Sequence, residues 1–91
     1  MLVRIRPGRV DKIVCETVGT TAKTIAVNGR ACRVLNSGDG TIYINPLEEV
    51  SAANGFQLIG KGSYLDLVVP GNLSVLGDQA DRTVQVLIWR D

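Results

Sequence analysis

Asn36-Ser37-Gly38-Asp39-Gly40-Thr41-Ile42-Tyr43-Ile44-Asn45 opens the stretch, running on to Trp89, whose reading decides the fold. A polar, glycine-rich turn leads into a pentad in which Ile42 and Ile44 alternate with Thr41, Tyr43 and Asn45. Beyond it come Asn54-Gly55-Phe56-Gln57-Leu58, a Gly60-Lys61-Gly62 turn, an alternating run over 63–69, a Pro70-Gly71 turn, Leu73-Ser74-Val75-Leu76 and a closing run over 83–89. Successive side chains of an extended chain point to opposite faces. Period-two alternation punctuated by Gly, Pro and Asn therefore marks half-buried strands joined by turns.

Upstream the same pattern continues. Val3 and Ile5 alternate with Arg4 and Arg6 in an edge-type strand stopped by Pro7-Gly8. From 10 to 18 the alternation is blurred because Ile13 and Val14 are adjacent, which reads as a strand with a bulge or as an extended arm. Ile25 and Val27 share one face of the next strand. Asn28-Gly29 then predicts a type I′ hairpin pairing 24–27 with 30–35, since both residues tolerate positive φ. Helical signal is confined to Pro46-Leu47-Glu48-Glu49-Val50-Ser51-Ala52-Ala53. A Pro in the first turn and early acids suit one or two turns there, while the short length favours a loop crossing between sheets.

The 91 residues thus read as one all-β domain over 1–91, a small β-sandwich of jelly-roll or Greek-key kind with seven to eight short strands and little or no helix. The expected core is Val3, Ile5, Ile25, Val27, Val34, Ile42, Ile44, Phe56, Leu65, Leu67, Val69, Val84, Val86 and Ile88. Phe56 and Leu58 are expected to plug an open end of the sandwich, turned inward by a positive-φ bend at Asn54-Gly55.

The residue inventory argues against an enzyme. Histidine is absent, which removes the commonest general base and metal ligand together with every Ser-His or Cys-His arrangement. Cys15 and Cys32 are too few to hold zinc and read as buried thiols, with a disulfide open only if their strands bring the Cβ atoms together. Glu48-Glu49 and the pair Asp78 and Asp81 fall in expected turns, where carboxylates are solvated. Neither Gly38-Asp39-Gly40 nor Gly60-Lys61-Gly62 follows a strand and opens a helix, as a phosphate cradle requires. No catalytic, cofactor or metal site is expected.

Nucleic acid is not an expected partner, because Tyr43, Phe56, Tyr64 and Trp89 are scattered and lie away from the arginine cluster. No apolar run approaches the ~20 residues of a membrane span, and Met1-Leu2-Val3-Arg4-Ile5-Arg6 has no signal-peptide core, so no membrane is expected and synthesis is expected in the cytoplasm.

Charge and apolar pattern point instead to protein contacts. From 1 to 36 seven basic residues face only Asp11 and Glu16, a net +5; from 37 onward three basic residues face seven acids, a net −4. Such a chain offers a basic and an acidic side if its halves do not interleave in the fold. Arg4, Arg6 and Arg9 are the expected docking charges. In the last strand Leu87 and Trp89 lie opposite Val84, Val86 and Ile88. Either this strand is covered on both faces or it presents an apolar patch to another chain, and Leu87, Trp89 and Tyr43 are the expected anchors of that contact.

The segment 32–89 resembles a small all-β domain of short structural proteins in tailed bacteriophages. The resemblance rests on Asn36-Ser37-Gly38, Thr41-Ile42-Tyr43-Ile44, Val50-Ser51, Asn54-Gly55-Phe56-Gln57-Leu58, Gly60-Lys61-Gly62, the strand from Tyr64 to Val69, Pro70-Gly71 and Val84-Gln85-Val86, in that order. Gln57 stands where the pattern usually has proline, and 73–76 lacks the usual aromatic. The resemblance implies a non-enzymatic virion protein, foremost a capsid cement or decoration protein on the major capsid protein lattice, and implies homo-oligomers. Its alternatives are a head-tail, tail or fibre component, or a carbohydrate- or receptor-binding module. Residues 1–31 lie outside the resemblance and would supply basic docking strands.

Overall fold

The computed structural model describes residues 10–90. Val3, Ile5 and the docking arginines Arg4, Arg6 and Arg9 lie outside them. The described chain forms eight strands and no helix: β1 (Val10–Val18), β2 (Lys23–Ala26), β3 (Ala31–Asn36), β4 (Thr41–Asn45), β5 (Phe56–Ile59), β6 (Tyr64–Val68), β7 (Asn72–Gly77) and β8 (Arg82–Trp89). They make two four-stranded antiparallel sheets, ordered β1-β8-β3-β6 and β2-β7-β4-β5. Every connection except β4 to β5 crosses from one sheet to the other, which is the double Greek-key winding of a jelly roll.

Alternation selects the buried face. Ile42 and Ile44 of β4, Leu73 and Val75 of β7, Val84, Val86 and Ile88 of β8, and Cys32 and Val34 of β3 point between the sheets, joined by Val18, Ile25, Val27, Leu58 and Val69. Leu65, Leu67 and Val14 pack against this cluster while half buried. Most of the expected core is found there, and Val18, Leu73 and Val75 are additions to it.

Several expectations are corrected. Asn28 and Gly29 do take positive φ, 57° and 84°, and Arg30 N donates to Val27 O, yet no hairpin forms. β2 pairs with β7, whereas β3 pairs with β6 and β8. The amides of Val27 and Asn28 donate to Gly71 O and that of Gly29 to Val69 O, so the turn is locked onto the Pro70-Gly71 corner and sends its two strands into opposite sheets. Phe56 is 53% exposed rather than a plug. It lies opposite Ile44 at the first position of β5, the outermost strand of its sheet, while Leu58 two positions on is buried. Gly55 is absent from the positive-φ positions. A Cβ there would stand 2.7 Å from Val50 Cγ2 and 2.8 Å from Tyr43 Cβ, so glycine serves close approach. Cys15 is exposed and Cys32 buried, and neither is in a disulfide.

Asn36 closes one end of the sandwich. Its fully buried side chain donates from Nδ2 to Gly40 O and Leu58 O, both at 3.0 Å, and accepts from Gly38 N at 3.1 Å. Its backbone accepts from Gly62 N and donates to Ser63 O, both at 2.8 Å. One residue thereby ties β3 to β5 and to the turns before β4 and β6. Asn45 does similar work for the loop over 46–55, accepting from Leu47 N and Glu48 N and donating to Asn54 O. That loop folds back over the outside of its sheet, where Val50, buried apart from the main core, donates its amide to Ser74 Oγ at 3.0 Å.

Candidate interaction surface

The outward face of β1-β8-β3-β6 is set by the same alternation that buries Val34, Val86 and Ile88. Register places Ile13 beside Leu87, Leu87 beside Arg33, and Arg33 beside Asp66, giving one row across the four strands. A second row runs Cys15, Gln85, Leu35, Tyr64. Ile13 is 58% and Tyr64 54% exposed, while Leu35, Leu87 and Val68 are half buried. This face therefore carries apolar side chains that solvent reaches.

A charged cluster holds one side of that face. Arg33 donates from Nε to Asp66 Oδ1 at 2.7 Å and from Nη2 to Asp66 Oδ2 at 3.0 Å, a bidentate cross-strand pair. The guanidinium also lies 4.3 Å from the Tyr64 ring centroid, so Tyr64 is held as a stacked, exposed anchor. The hydrogen bond that Arg33 donates to Asp66 is the main reason the Arg33 pKa is raised, and the side chain is permanently charged. Beneath, burial pushes the Cys32 thiol up to about 12, with the negative Asp66 adding to it. Cys32 is therefore a neutral, unreactive core residue.

The expected contact residues are not gathered in one place. Leu87 lies in the centre of this face. Tyr43 belongs to β4, on the outside of the other sheet, half buried beside the loop over 46–55. Trp89 is only 6% exposed and lies outside the main core cluster, so little of its ring is left for a partner. In this sheet the described strands of the two halves interleave, β1 and β3 from the first alternating with β8 and β6 from the second. Ion pairs join the halves, Arg33 with Asp66 and Arg90 with Asp11, the latter also taking Arg30. Sequence reasoning missed Ile13 and the pairing of Arg33 with Asp66, because which strand lies beside which is not written in local alternation.

Two depressions accompany these faces. A groove of about 400 Å³ runs between the 46–49 segment and the strand ends, lined by Thr24, Pro46, Glu48, Glu49, Pro70 and Asn72 among others, none aromatic. A second, of about 330 Å³, is lined by Cys15, Glu16, Thr17, Ser37, Thr83, Val84 and Gln85. Glu48 and Glu49 are exposed, and Asp78 is tied to Arg82 Nε at 2.6 Å, which lowers its pKa. Among the described residues no three His, Cys, Asp or Glu side chains cluster to hold a metal, and no helix is long and apolar enough to cross a membrane.

No family model, curated protein or solved structure matches the chain.

Proposed function

We propose that this protein is a non-enzymatic virion component of a tailed bacteriophage, a capsid cement subunit that lies on the major capsid protein lattice and stabilises the head. The observation that carries the docking reading is the outward face of β1-β8-β3-β6, where Ile13, Leu87, Leu35 and Tyr64 stay accessible around the Arg33–Asp66 pair. The bacteriophage assignment comes from the ordered motifs of 32–89. Apolar anchors with a stacked Arg and Tyr suit a protein surface better than a soluble ligand. A sugar-binding module is disfavoured, since the larger groove offers no aromatic platform.

Arg4, Arg6 and Arg9, which lie outside the described residues, join this reading as docking charges. Exposed pairs contribute only about 0–1 kcal/mol each, so they act in number and across many copies. Mass spectrometry of purified particles tests the proposal. A copy number comparable to that of the major capsid protein supports a cement role; a few copies per particle point to the neck, tail or fibre, and absence from particles overturns the virion reading.

A further inference from the structure

We propose that β1 is a self-complementary edge by which two copies of this chain pair antiparallel about a two-fold axis at Val14, joining their β1-β8-β3-β6 sheets into one continuous sheet.

Edge strands expose unpaired backbone groups, and stable monomers keep them short or covered. Three edges here follow that rule: β2 and β5 have 4 residues each and β6 has 5. β1 breaks it, with 9 residues bonded among the described strands to β8 alone. Its ends are closed, one by the register shift between Val10 and Lys12, the other by Lys23 Nζ donating to Thr17 O at 2.8 Å. Among the described residues the open window is therefore 12–16, centred on Val14.

Within that window the side chains are their own complement. Antiparallel pairing about Val14 sets Lys12 opposite Glu16 of the second copy, twice by symmetry, and Ile13 opposite the exposed Cys15, also twice. Lys12 and Glu16 lie on the core side of β1, opposite Ile88 and Val84, but at the rim where both reach solvent. They are four strand positions apart, roughly 13 Å, too far to pair within one chain. Lys12 makes no ion pair among the described residues, and Glu16 makes one, a solvent-exposed pair with the Lys23 ammonium at 3.6 Å. Asp11, the remaining nearby acid, is already held by Arg30 and Arg90. Inward-facing charges that merely guard an edge need no matching of sign and spacing. The opposite signs placed symmetrically about Val14 fit a second copy.

The inference stands apart from the capsid reading, because it is tested on the purified full chain without particles. Sedimentation equilibrium should show a dimer whose dissociation constant rises with salt. Lys12→Glu and Glu16→Lys should each weaken it about tenfold or more by opposing like charges at both symmetric contacts, and the double exchange K12E/E16K should restore it. Circular dichroism checks that each variant is folded. Hydrogen exchange on the unaltered chain gives an independent readout: protection in β1 should rise with protein concentration. A monomer at all concentrations, single variants as dimeric as the parent, a double exchange that fails to restore, or concentration-independent protection of β1 overturns the proposal. A monomer would leave guarding of the edge, or a strand from another protein, as the role of this edge.

Discussion

Asn36 shows how much one polar side chain can hold when every bond is made. Removing it by Asn36→Ala takes the buried donor from Leu58 O, one of two donors from Gly40 O and the acceptor from Gly38 N, at a cost of about 1–3 kcal/mol. Thermal unfolding should show a clear fall in Tm, and an unchanged Tm would mean that water takes over these bonds. From the sequence Asn36 reads only as a turn former before Ser37-Gly38. Its burial depends on β5 closing against it from 22 residues away, which no local pattern carries. The two thiols separate in the same way. Cys15 should alkylate in the native protein and Cys32 only on unfolding. Since the Cys32 pKa is raised from 9.0 to about 12, the folded state prefers the neutral thiol. Its contribution is complete below pH 9 and is lost as pH rises toward 12, so Cys32→Ala should lose less stability over that interval than the parent protein in pH-dependent denaturation.

At the scale of elements, local chemistry predicts turns better than it predicts what the turns join. Asn28-Gly29 has the positive φ values its sequence calls for, but its amides and that of Val27 are bonded to the Pro70-Gly71 corner, and the strands on either side pair with β7 and with β6 and β8 instead of with each other. Gly55 shows the converse, a glycine read as a bend that is needed for room. Gly55→Ala should cost about 1–3 kcal/mol through overpacking against Val50 and Tyr43. Gly29→Ala meets nothing within 4 Å and should cost only the roughly 1–2 kcal/mol of a left-handed backbone. Denaturant titration of the two variants, with Gly55→Ser more damaging still, would separate crowding from strain. The Asp78–Arg82 pair adds a pH dependence of opposite sign to that of Cys32. The hydrogen bond from Arg82 lowers the Asp78 pKa, so its stabilisation is present above the ordinary carboxylate value and is lost as pH falls through the folded-state value. Asp78→Asn should flatten the acid limb of the stability profile.

Across the whole molecule the β-sandwich class was legible because eight strands of alternating pattern, spaced by Gly, Pro and Asn, leave few other packings. Ile42, Ile44, Val86 and Ile88 were identifiable as core for the same reason, and Ile44→Ala should lose about 2–5 kcal/mol on thermal unfolding. The surface was less legible, since it is made by strands distant in sequence: Ile13 and Leu87 are neighbours only because β8 runs beside β1. This changes what the last strand's aromatic residue is expected to do. Trp89, at 6% exposure, is part of the folded interior, so Trp89→Ala should lower the stability of the isolated chain by about 3–5 kcal/mol. Ile13, at 58% exposure, contributes little to folding, and Ile13→Ser should leave stability within about 0.5 kcal/mol of the parent. If the outward face of β1-β8-β3-β6 is the docking surface, Ile13→Ser and Tyr64→Ala should nevertheless release the protein from particles more readily, while Arg4→Ser/Arg6→Ser should reduce only the salt-sensitive part of attachment. Release measured against salt for all three, with Tm determined in parallel, separates these roles. Retention of the Ile13 and Tyr64 variants equal to that of the parent would move the contact off this face.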